Sequence, residues 1–282
     1  MRPLVESMVG AIADRGAGDL VRELTFPFPV TVIAGMLGLP REDLPQFHRL
    51  AVELISVGFD FEVGTNASAR LRDYFAGILA DRRRSPRDDL ISVLAGVELD
   101  GQRLSDEEIF AFLRLLLPAG AETTYRSASN LFFGLLTRPE QLGAVRDDRS
   151  LLPQAIEEGV RWEPPLTGIM RMTTADVEIE GLSVPAGSVL SVSMGAANRD
   201  PSRWDRPDEF DIVRPFHQHV SFALGPHTCL GMHLARMETA VALTALLDRL
   251  PGLRLDPGAG DVQIAGVAFR SPRRLPVVFD AG

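Results

Sequence analysis

Lysine is absent from this 282-residue chain; all 29 basic side chains are arginine. Against 38 acidic residues they leave a net charge of −9, which disfavours nucleic acid and anionic membrane surfaces as partners. The missing lysine, with the abundance of Ala, Gly, Leu and Val, points to GC-rich bacterial coding rather than to a chemical requirement. Cysteine occurs once, at Cys229, which excludes an intramolecular disulfide. Apolar runs long enough to span a bilayer are lacking, and no basic-then-apolar start resembles a secretory signal. The sequon Asn66-Ala67-Ser68 then carries no meaning, and the expected setting is cytoplasmic, without membrane insertion. Internal repeats, low-complexity tracts and long linkers are absent as well.

What is present suits a soluble globular protein: 45% hydrophobic and 24% charged residues, in a chain long enough for a substantial core. Periodicity predicts helices over 4–15, 30–37, 44–57, 67–84 and 88–95, with Phe26-Pro27-Phe28-Pro29 as a break and Arg82-Arg83-Arg84 as a solvated helix end. The strongest helix signal starts at Ser105-x-x-Glu108, a capping box with Leu104 placed to staple onto Ile109. It persists to Thr137, about thirty residues or roughly 45 Å. Its middle holds Pro118, Gly120 and two β-branched residues, poor choices for a straight helix. In Ala119-Gly120-Ala121-Glu122-Thr123-Thr124, small residues leave room for a flat partner, and the Thr123 hydroxyl can bond the Ala119 carbonyl. An acid beside an alcohol here suits proton relay; a kinked core helix is the plainer alternative. A helix over 153–162 follows, with Glu158 and Arg161 on one face. Strands are expected within 173–196, 262–264, 267–269 and 277–279, and a helix from Cys229 to about Leu250.

Cys229 sits where a loop enters that last helix. Gly225 and Gly231 flank it, able to supply positive φ or close backbone approach. Free N–H groups and the positive end of the helix dipole favour thiolate over thiol, so the sulfur is either a nucleophile or a metal ligand. The pattern Phe222-x-x-Gly225-x-His227-x-Cys229-x-Gly231 resembles the haem loop of the cytochrome P-450 superfamily, in its soluble bacterial form; Ala223 stands where the family usually has a second glycine. The helical segment at 119–124 is similar to that family's oxygen-activation motif. Glu158-x-x-Arg161, with Arg214 in Pro207-Asp208-Glu209-Phe210-Asp211-Ile212-Val213-Arg214, is similar to its buried structural triad.

The resemblance implies a mainly α fold with a minor β region, here without the helices and strands that precede the position of Met1 in the family. The whole of 1–282 would be one partial domain: helix-rich over 1–165, strand-containing over 171–215, ligand loop and following helix over 220–250, and strands over 260–280. It implies b-type haem with Cys229 as axial iron ligand, Arg171 and His227 on the propionates, and Phe222, Gly225 and Gly231 shaping the loop. Ala119 and Gly120 would line the distal face, and Glu122 and Thr123 would handle protons. The implied activity is monooxygenation of a small apolar substrate, with electrons from NAD(P)H through a ferredoxin-type donor and its reductase. The complete protein would be a monomer. The alternatives are a non-catalytic haem- or ligand-binding remnant, a peroxide-driven hydroxylase, against which Glu122-Thr123 argues, and a haem-free cysteine enzyme.

Overall fold

The structure is a computed structural model describing residues 1–56 and 60–280. In chain order it begins with helix α1 (Arg2–Ala13) and strand β1 (Ala17–Asp19), followed by a π-helical turn at Val21–Thr25. Helices α2 (Pro27–Met36), α3 (Leu44–Ile55), α4 (Phe61–Arg84) and α5 (Leu90–Gly96) come next. A short hairpin of β2 (Glu98–Leu99) and β3 (Gln102–Arg103) precedes the 31-residue helix α6 (Asp106–Leu136). Then come α7 (Pro139–Asp147), α8 (Leu152–Trp162), β4 (Gly168–Met172), β5 (Val177–Ile179), β6 (Leu182–Val184), β7 (Val189–Ser193) and the single turn α9 (Met194–Ala197). Helix α10 (Met232–Arg249) and strands β8 (Arg254–Leu255), β9 (Ile264–Ala265), β10 (Ser271–Pro272) and β11 (Pro276–Val278) complete the chain.

These elements form two compact units, one over 26–125 and the other over 2–25 with 126–280; the boundary falls inside α6, after Tyr125. In the first unit α3 packs on α4 and α4 on α5, burying Phe47, Leu50, Leu71, Phe75 and Ile91. Phe47 and Phe75 meet edge to face at 6.2 Å between ring centroids. The capping box that starts α6 is formed in both directions: the Ser105 N–H donates to Glu108 Oε2 (2.8 Å), and the Glu108 N–H to Ser105 Oγ (3.3 Å).

In the second unit α1 and α8 pack on α10, burying Val5, Val9, Ile12, Leu243 and Leu246. Strand β11 lies between β1 and β8, antiparallel to both. Strands β4 and β7 form an antiparallel ribbon with Gly168 opposite Ser193 and Met172 opposite Val189.

Several elements depart from the sequence reading. Pro27 and Pro29 begin α2 instead of breaking the chain, because proline is tolerated in a first turn whose N–H groups have no helical acceptor. Helix α4 starts six residues before the expected Ala67, where the Asp60 carboxylate caps the Val63 N–H at 3.1 Å. Arg82 is buried, not solvated; its Nε donates to Asp89 Oδ2 at 2.5 Å and its Nη2 to the Gly38 carbonyl at 2.9 Å. Arg171 lies inside β4 rather than ahead of the strands, and 267–269 contributes only a bridge between Leu166 and Phe269. The expected helix end at Val57 lies outside the described residues.

Candidate functional site

Backbone bonds fix the cysteine loop in the second unit. The Cys229 N–H donates to the Phe222 carbonyl at 2.8 Å, the Ala223 N–H to Val220 at 2.9 Å, and the Thr228 N–H to Gly225 at 3.0 Å. Thr228 Oγ1 also donates to the Gly225 carbonyl, at 2.8 Å. Cys229 closes this turn through its backbone N–H, three residues ahead of α10, and is exposed. Gly225 takes a φ of +73°, which explains glycine there. Ala223 takes +56°, so a residue with a Cβ occupies left-handed backbone at the position the family usually gives to glycine. Gly231 has an ordinary φ of −86° and open space where a side chain would begin. Its expected need for glycine is therefore not conformational.

Behind the loop lies a buried charge cluster. Arg161, 1% exposed, donates from Nε to Glu158 Oε2 (2.7 Å) and from Nη2 to Oε1 (2.8 Å). Arg214 Nε reaches the same Oε1 at 3.3 Å, and its Nη1 donates to the Asp205 carbonyl. Arg161 further donates to the carbonyls of Asn198 (3.0 Å), Pro207 (2.8 Å) and Glu209 (2.9 Å). One helical side chain thereby gathers the whole segment leading to the loop. The grip passes on through Asn198, whose Oδ1 accepts from the Val220 N–H (2.9 Å) and whose Nδ2 donates to Ser221 Oγ (2.7 Å). Ser221 Oγ in turn donates to the Val160 carbonyl of α8 at 2.8 Å.

A second network escaped the sequence reading. Arg236 on α10 donates from Nε to Glu157 Oε1 (2.6 Å) and from Nη2 to Oε2 (2.8 Å). His219 Nε2 lies 3.2 Å from Glu157 Oε2, and the Arg236 guanidinium sits 4.4 Å above the Phe222 ring. Burial pushes the Glu157 carboxyl up, but the hydrogen bonds from Arg236 and His219 outweigh it and hold it at about 2. The only local signal was a glutamate beside Glu158, which by itself reads as helix surface.

Arg171 and His227 are exposed, and neither has a carboxylate partner among the described residues; Arg171 Nη1 donates only to the Met170 carbonyl, at 2.9 Å. Met170, Met172, Leu224 and Leu230 expose apolar surface in this unit.

In the first unit Thr123 Oγ1 donates to the Ala119 carbonyl at 2.6 Å. Successive helical residues point about 100° apart. Thr123 accordingly shares a half-exposed side with Ala119, while Glu122 is buried and accepts from the Tyr125 hydroxyl at 3.2 Å. His48 lies edge-on to Phe26 at 4.0 Å; burial lowers its pKa, and the charge of Glu122 opposes that shift. A Cβ on Gly120 would come within 2.7 Å of Ile33 Cδ1. Its small size thus serves the packing of α6 on α2, a reason the sequence reading did not contain.

Residues 60–251 match the family described as Cytochrome P450, so the chain belongs to that family of haem b-binding monooxygenases. Among individual relatives it is 39% identical over 286 residues to Cytochrome P450 107B1 of Saccharopolyspora erythraea, a match covering 98% of this chain and 70% of that protein. It is 36% identical to the Steroid C26-monooxygenase of Mycobacterium tuberculosis strain CDC 1551, covering 98% of this chain and 76% of that one. Among solved structures, the cytochrome P450 PksS of the Bacillus subtilis 168 bacillaene polyketide synthase superposes with a TM-score of 0.93 at 31% identity, over 99% of this chain and 72% of its own.

The donor set in the second unit fits the family's cofactor. A soft thiol held by backbone bonds suits iron, two basic side chains without carboxylate partners suit propionates, and exposed apolar residues suit a porphyrin disc.

Proposed function

We propose that this chain is a haem-thiolate monooxygenase in which Cys229 would hold the haem iron through its thiolate. The observation that carries this reading is the exposed, singular thiol of Cys229 in a turn closed onto Phe222 immediately before α10. When bound, haem supplies the dioxygen activation and one-electron chemistry that side chains cannot. Arg171 and His227 would bind its carboxylates, and Phe222, Gly225 and Gly231 would shape the turn around the sulfur. Ala119, exposed on α6, would present a small side chain to the haem, with Gly120 beside it although its missing Cβ makes room for Ile33. Thr123 spends its hydroxyl proton on the Ala119 carbonyl, which leaves its oxygen lone pairs free to accept from water. Glu122 holds and releases protons on the buried side of the same helical turn. Glu158, Arg161 and Arg214 act structurally, by fixing the segment that leads to the loop.

The substrate is a small apolar organic molecule that receives one oxygen atom from O2. The steroid oxidation named for the mycobacterial relative is chemistry of this class. Electrons come from NAD(P)H through a ferredoxin-type protein and its reductase. The setting is cytoplasmic and the protein works as a monomer. Among the described residues, no helix is long and apolar enough to cross a membrane.

The test is turnover of the haem-loaded chain with a surrogate ferredoxin and reductase under isotopically labelled O2, over a panel of steroids, fatty acids, terpenes and macrolides. One labelled atom in the product supports the reading. Product carrying oxygen from water, or consumption of reduced cofactor without oxygenated product from any substrate, contradicts it.

A further inference from the structure

Arg236 is half-buried on α10, seven residues beyond Cys229, and it joins Glu157 of α8 to the Phe222 ring of the loop. Two nearly parallel bonds to Glu157, at 2.6 and 2.8 Å, set the plane of the guanidinium. Such a bidentate pair fixes orientation as well as position. The fixed plane then lies 4.4 Å from the centre of the Phe222 ring, within cation–π range. Phe222 is also the residue whose carbonyl accepts the Cys229 N–H, so the ring that Arg236 covers belongs to the residue that anchors the cysteine backbone.

His219 holds the other side of the assembly. Its Nδ1 accepts from the Ser221 N–H at 3.2 Å, which leaves Nε2 to carry the proton donated to Glu157. Its ring also lies 5.7 Å from Phe222 between centroids. Glu157 thus receives three charge-assisted or polar donations from two side chains, one on α10 and one on the loop, and ties both to α8. Arg236 thus covers the ring of the residue that binds the Cys229 N–H, and its pKa is raised first by the hydrogen bond to Glu157, with the charge of Cys229 adding in the same direction.

We propose that Arg236 is a positioning residue for the thiolate site, holding the Phe222 ring over the loop and balancing the charge on Cys229, with Glu157 and His219 setting its place. This rests on Cys229 being the iron ligand. An arginine cation near a thiolate stabilises the more negative, reduced state of the site, and the Glu157 carboxylate offsets that effect. Removing the cation and removing the anion must therefore move the reduction potential in opposite directions. A purely structural role gives no such opposition of sign.

The experiment uses the haem-loaded full chain and its Arg236→Gln, Glu157→Gln and doubly substituted variants, with reduction potentials read by spectroelectrochemistry. The expected result is a lower potential for Arg236→Gln, a higher one for Glu157→Gln, and a value near the parent for the double variant. Hydrogen exchange of the peptide over 219–229 in the haem-free chain supplies a readout independent of haem loading. Arg236→Gln should speed exchange there by roughly tenfold or more, as loss of hydrogen bonds to a charged group implies, and Arg236→Lys by less. Single variants that shift the potential in the same direction, or not at all, overturn the charge-balancing role. Unchanged exchange over 219–229 overturns the positioning role. The ferrous carbonyl spectrum of the parent protein reports separately on the ligand: a histidine-type spectrum defeats the Cys229 reading while the exchange data still decide the role of Arg236 in the loop.

Discussion

At the scale of single residues the loop carries a measurable strain. Ala223 at a φ of +56° bears a Cβ in left-handed backbone, which costs a non-glycine residue roughly 1–2 kcal/mol. Ala223→Gly should therefore raise stability by about 1 kcal/mol once glycine's greater freedom in the unfolded chain is set against that relief. A urea midpoint that rises at constant slope is the expected outcome, and a fall would mean that the alanine is favoured for another reason. Thr123 makes the opposite kind of prediction, because its hydroxyl is bonded within its own helix. Thr123→Ala should leave folding intact, yet in the loaded enzyme divert reduced cofactor from product to peroxide. Unchanged coupling would remove the hydroxyl from proton handling. The Thr123 bond was legible in the sequence because donor and acceptor lie four residues apart. The left-handed turn at Ala223 was not, because alanine carries no mark of positive φ.

At the scale of elements, two contacts decide how helices meet. Glu158 and Arg161 on α8, joined by Arg214, gather the carbonyls of Asn198, Pro207 and Glu209. Arg161→Ala would leave a buried carboxylate without its main partner, at a cost of roughly 3–5 kcal/mol, which is much of a domain's net stability. Insoluble or haem-free protein is the expected result; soluble protein with full haem content would contradict the anchoring role. On α6, Gly120→Val must displace Ile33 from a 2.7 Å approach, so a loss of about 1–3 kcal/mol is expected in thermal or chemical denaturation. The spacing of Glu158 and Arg161 showed a shared face, while Arg82 read as solvated because its partners, Asp89 and Gly38, come from elsewhere in the chain. Pairings that close over three or four residues were visible in the sequence. The pairing of Arg214 with Glu158 was legible only through the family resemblance, and that of Glu157 with Arg236 needed the fold.

At the scale of the whole molecule, two carboxylates set the pH range of stability. Glu157 is held at about 2, below its ordinary 4.5, so its contribution is complete above pH 4.5 and disappears as pH falls toward 2. Glu238 is buried on α10, its Oε2 has no partner among the described residues, and burial raises it to about 8. Its ionisation costs the folded state nothing below pH 4.5 and progressively more as pH climbs from 4.5 to 8. Stability should therefore decline on both sides of mildly acidic pH, and Glu238→Gln should flatten the alkaline side alone in urea midpoints measured against pH. An alkaline decline that persists in that variant would assign it to another group. The central claim is that Cys229 binds haem iron as thiolate, and the ferrous carbonyl spectrum of the loaded chain tests it most directly. A strongly red-shifted Soret band that is lost in Cys229→His is the predicted result, and a histidine-type band in the unmodified protein would contradict it.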